Sequence, residues 1–108
     1  MTKPDPIIPK LLDIKQRDQE IRLADITNEI RILQQKLQEL MDEASRLDQR
    51  ADGYDRMSVA NGYLRYLDHR QSSIKERLSA LQREADEAQN ALRKTVFSQS
   101  MLQQSQGM

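Results

Sequence analysis

Residues 23–54 read LADITNEIRILQQKLQELMDEASRLDQRADGY, and their apolar positions step by alternating threes and fours: Leu23, Ile26, Ile30, Leu33, Leu37, Leu40, Ala44, Leu47, Ala51 and Tyr54. A repeat averaging about 3.5 residues keeps a narrow stripe turned toward one partner helix, the heptad pattern of a left-handed coiled coil. The same step returns at Ala60, Leu64, Leu67, Gln71, Ile74, Leu78, Leu81, Ala85, Ala88 and Leu92, where only Gln71 is polar. Around the junction lie Asp52-Gly53 and Asn61-Gly62, both turn-type dipeptides. Stripe, interruption and stripe together predict an all-α fold: two long helices in an antiparallel coiled-coil hairpin.

Composition agrees with that pattern. Ala, Glu, Lys, Leu and Arg fill 45 of the 108 positions, and thirteen Gln join them. These side chains keep most of their rotamer freedom in a helix. All three prolines fall within the first nine residues, so nothing beyond Pro9 carries the strongest helix breaker. Apolar residues make up 37% and aromatics 4%, too few for a thick globular core. The predicted layout is a lead-in over 1–8, helix 1 over 9–53, a bend over 53–60, helix 2 over 60–103 and a tail over 104–108. Past Leu92 the apolar stripe blurs through Thr95, Val96 and Phe97, and helix 2 is expected to fray.

Antiparallel pairing about a bend near Met57 sets seam residues opposite each other when their numbers sum to 114 or 115. Leu33 then meets Leu81, Leu40 meets Ile74 and Ala44 meets Gln71. Sliding the bend by half a heptad, toward Gly53 or toward Gly62, gives acceptable pairs as well. The competing arrangement is one continuous helix in a parallel dimer. It is disfavoured because each internal glycine costs a helix about 1 kcal/mol.

Charge narrows the function classes. Seventeen bases balance seventeen acids, with a net of −2 over residues 1–54 and +2 over residues 55–108. Neither half has the basic excess that neutralising a phosphate backbone requires, and aromatics for base stacking are scarce. Nucleic-acid binding is therefore not expected. No apolar run approaches the ~20 residues of a membrane span, so no membrane insertion is expected either. Lacking an apolar leader, the chain reads as cytoplasmic.

Nothing points to catalysis, a metal or a cofactor. The absence of cysteine removes thiolate ligands and nucleophiles. His69 is the only histidine and has no second imidazole to share a metal with. Asp42-Glu43 and Asp86-Glu87 are adjacent carboxylates, but neighbours on a helix diverge by about 100° and cannot close on one substrate atom. The segment with most chemical character holds Tyr54, Met57, Tyr63, Tyr66 and Leu67. All three tyrosines sit within thirteen residues at the proposed bend. Tyrosine anchors protein interfaces well, so these five residues are the candidate partner-binding set.

The run Gly62-Tyr63-Leu64-Arg65-Tyr66-Leu67, with Ile74 seven residues on, resembles the opening of the second helix in the FliJ family of flagellar and type III secretion export-ATPase stalk proteins. Leu37-Gln38-Glu39-Leu40-Met41-Asp42 is similar to the last part of that family's first helix. The likeness spans about a fifth of the chain. It implies a stalk like the γ subunit of rotary ATPases, with the hairpin's free ends in the central hole of a hexameric export ATPase. The bend would meet the export gate, with Tyr63 and Leu67 on the contacting surface, peripheral to a membrane-embedded export apparatus. The basic tail often seen in the family has no counterpart here. Two other roles fit the composition: a structural homo-oligomer such as a four-helix bundle, and an export chaperone for secreted substrates.

Overall fold

The structure, a computed structural model, describes the backbone of residues 7–50 and 54–106 and the side chains of residues 7–47 and 61–105. It consists of two α-helices: α1, Ile7–Arg50, of 44 residues, and α2, Tyr54–Gln106, of 53 residues. Pro9 falls in the first turn of α1, where its missing N–H has no carbonyl to serve. The helix therefore starts before it, at Ile7.

The connection differs from the expected one. The α2 helix begins at Tyr54, so residues 54–60, assigned to the bend, are its first two turns. Asp52-Gly53, the first of the two turn-type dipeptides, lies outside the described residues. Asn61-Gly62 lies inside α2, on the exposed side of the helix. A helical glycine there costs about 1 kcal/mol, which the nearby seam outweighs, since burying one leucine is worth roughly 1.5–3 kcal/mol. Helix α2 also continues past 103 to Gln106.

Two units make up the chain, each described by itself. The central unit is Asn28–Gln82. Its two helix segments run antiparallel, because Glu29 pairs with Arg77 and Glu43 with Tyr63: the number rises on one segment as it falls on the other. Both pairs sum to 106, eight or nine below the sum for a bend near Met57. The seam has thus slid by about a heptad, half a heptad at the bend and toward Gly53. Leu40 comes level with Leu67 rather than Ile74, and Leu33 with Ile74 rather than Leu81. Leu67 and Leu81 are each only 1% exposed, Ile74 and Leu78 are buried, and Ile30, Leu33, Leu37, Leu40, Ala44 and Leu47 are half-buried.

The terminal unit joins the residues up to Thr27 with those from Arg83 onward. It is antiparallel too: Pro9, Leu12, Asp13 and Gln16 share a groove with Gln99, Leu102 and Gln103, while Gln19 and Arg22 share one with Glu84, Glu87, Ala88 and Ala91. Ile26, Ala88 and Thr95 are its buried residues. The stripe does not blur after Leu92. It continues through Thr95, Gln99 and Leu102, and on α1 it reaches back through Gln19, Gln16 and Leu12. Buried Thr95 satisfies its hydroxyl by donating to the Ala91 carbonyl at 3.2 Å, one turn earlier.

Candidate functional site

On the central unit the tyrosines sit at one flank of the seam. Tyr63 lies four positions before seam residue Leu67, which places it beside the stripe; Tyr66 is further round toward solvent. The two rings stack, with centroids 5.9 Å apart and planes 22° from parallel. Tyr66 is 54% exposed and Tyr63 40%. The Tyr63 hydroxyl donates to Glu43 Oε1 across the helix pair at 2.6 Å. Losing that proton would set a phenolate against the carboxylate. The bond to Glu43, with partial desolvation and the Glu43 charge added, therefore holds the Tyr63 hydroxyl above its ordinary pKa. One ring is pinned by its hydroxyl, and the second leans on it with its outer face open.

Leu67, expected on the contacting surface, is instead a buried seam residue. At 1% exposure it offers no surface. Sequence spacing alone could not separate the two roles, because Tyr63 and Leu67 are one helical turn apart. Tyr54 and Met57 belong to the first turn of α2 by backbone, and their side chains lie outside the described residues.

The flank repeats every seven residues. Glu29–Arg77 forms its outer rung, an ion pair at 3.1 Å, and Glu43–Tyr63 the inner one. Midway, the same register sets Lys36 level with Arg70, both exposed. Two cations on one rung, one turn from Tyr66, leave a positive spot next to the aromatic stack. The carboxylates of Asp42 and Glu43 are used separately: Asp42 accepts from Gln38 at 2.9 Å and Glu43 from Tyr63. Among the described residues no group of three or more His, Cys, Asp or Glu is placed to hold a metal. Nor is any helix among them long and apolar enough to cross a membrane.

The terminal unit holds a surface that the seam reading passed over. Ile7, Leu11, Ile14 and Ile21 are each more than half exposed. At about 100° per residue they form a stripe roughly 150° around α1 from Leu12, Gln16, Gln19 and Leu23, which face α2. On α2, Phe97 (66% exposed) and Met101 likewise sit away from that unit's seam. The signal was present as a second four-three step, 7–11–14, extended by a heptad to Ile21. It is masked in the sequence because the stripe that pairs the helices becomes regular only from Leu23.

The chain matches no protein-family model, no curated protein and no solved structure.

Proposed function

We propose that this protein is a non-enzymatic coiled-coil stalk or adaptor of a flagellar or type III protein export ATPase, engaging the ATPase ring and the export gate by binding alone. The observation that carries this reading is the Tyr63–Tyr66 stack, exposed on the flank of α2 near its start. The Tyr63 hydroxyl serves the hairpin through its bond to Glu43, and the Tyr66 ring, 54% exposed, adds aromatic surface outside the seam. Exposed, mutually stacked aromatic side chains of that kind are typical anchors of protein interfaces. The resemblance of residues 62–67 to the second-helix opening of the FliJ family falls on the same place.

Mixing the chain with a cognate export ATPase is expected to raise ATP hydrolysis and hexamer formation, with co-elution of the two proteins. Absence of both co-elution and stimulation would remove the reading. Tyr63→Ala with Tyr66→Ala should leave helicity unchanged and weaken capture by the gate's cytoplasmic domain. The structural homo-oligomer is the second reading, favoured by exposed Phe97 and Met101 on α2 of the terminal unit. Sedimentation of the chain alone separates it from a stalk that is monomeric until it meets its ring.

A further inference from the structure

The outer face of α1 in the terminal unit has the form of a second coiled-coil seam. Leu11, Ile14 and Ile21 are 59%, 57% and 54% exposed, and Ile7 extends the same line. Ile7, Ile14 and Ile21 recur at heptad spacing with Leu11 between the first two, which is the narrow stripe that one further helix covers. The charged residues beside it are all basic: Lys10 and Arg17 on one side, and Lys15 and Arg22 on the other, where Ile8 begins the same line. Asp18 is the stripe's single acid, at the position between Ile14 and Ile21.

From this arrangement we infer that the outer face of α1 between Ile7 and Arg22 docks an amphipathic helix of a partner protein, one with an apolar heptad stripe, acidic flanks and a basic residue opposite Asp18. The flanks choose the occupant. Paired helices bring their flanking positions together, so a second copy of this face would set four cations against four in either orientation. The back of α2 offers no acidic alternative within its apolar end, since residues 93–106 carry Arg93 and Lys94 and no acid. A lipid surface would take up the aliphatic side chains but would also draw Asp18 toward hydrocarbon, whereas a partner helix answers it with one lysine. The face is remote in sequence from the Tyr63–Tyr66 gate contact but lies on the free ends that the proposed stalk would carry into the ATPase ring, so the peptide assay uses the chain alone and reads out independently of ATPase stimulation.

The probe is a synthetic peptide of about three heptads with Leu at the seam, Glu on both flanks and one seam Lys. Its control exchanges Glu for Lys on the flanks. Fluorescence anisotropy against the full chain is expected to show the Glu-flanked peptide binding at least ~10-fold more tightly than its control, with the gap narrowing as salt rises. Ile14→Asp should abolish binding of both peptides while the circular dichroism stays helical, because Ile14 lies outside the hairpin seam. Lys15→Glu with Arg22→Glu should move the preference toward the Lys-flanked peptide. Several results would overturn the inference: no binding, equal affinity for both peptides, or binding that survives Ile14→Asp. It would equally fall if Ile14→Asp dissociated a dimer of the chain alone, or released the chain from phosphatidylglycerol vesicles.

Discussion

Gly62 and Glu43 show how single residues tie the fold to the candidate site. Gly62 is helical and exposed, and a Cβ built on it meets nothing within 4 Å. The chain's own packing gives no reason for a glycine there. Gly62→Ala should therefore raise stability by about 0.5–1 kcal/mol in urea unfolding, through the lower entropy of the unfolded chain. If a partner backbone approaches beside Tyr66, the same substitution should weaken gate capture while helicity rises. Glu43 acts on Tyr63 through their 2.6 Å hydrogen bond. A hydroxyl whose folded pKa is raised holds its proton better folded than unfolded. Its contribution to stability is thus complete below the ordinary tyrosine pKa of about 10 and is lost as pH rises through the higher folded value. Glu43→Gln should bring the Tyr63 titration, followed by ultraviolet absorbance, back down toward the ordinary value and remove that alkaline dependence.

At the scale of the element, the seam and the outer stripe of α1 are built from the same residue types and differ only in what faces them. Leu81→Ala should cost about 2–5 kcal/mol, since the side chain is fully buried and leaves a cavity. Leu11→Ala should stay within about 0.5 kcal/mol in the isolated chain, because most of its surface is already in water. Thermal unfolding of the two variants side by side checks the contrast. Register is a property of the helix pair and can be tested in the same way. In the register of Glu29–Arg77 and Glu43–Tyr63, Lys36 and Arg70 share a rung. Arg70→Glu should then give a favourable coupling of up to about 1 kcal/mol with Lys36 in a double-mutant cycle at low salt. A hairpin bent near Met57 would set position 70 beside Ala44 and show no coupling to Lys36.

For the whole molecule, the distribution of buried apolar residues sets which unit opens first. The central unit's α2 segment buries Leu67, Ile74, Leu78 and Leu81, whereas the terminal unit seals part of its seam with Gln16, Gln19, Thr95 and Gln99. Gln19 Oε1 is even buried with no hydrogen-bond partner, beside the small side chains of Ala88 and Ala91. Hydrogen exchange should therefore be faster for amides 11–20 and 95–102 than for 64–81, because local opening follows buried apolar contact. Gln16→Leu should slow exchange in the terminal unit, and equal protection along both helices would contradict this account.

Much of this was legible in the amino-acid sequence. Helix-forming side chains, the confinement of proline to residues 1–9 and two three-four stripes determined two helices and the stripe each buries, because a 3.5-residue period has one geometric solution. The clustered tyrosines could be marked as a candidate surface for the same local reason. That the turn-type dipeptide Asn61-Gly62 lies within a helix was decided only by tertiary structure. Heptad stripes slide past each other by seven residues with little change in apolar pairing, so long-range contacts such as Glu29–Arg77 and Glu43–Tyr63 had to choose the register. Tertiary structure also separated Leu67, buried in the seam, from Leu11, left in water. Burial belongs to the partner surface, and a leucine's spacing along its own helix does not say whether that partner is present.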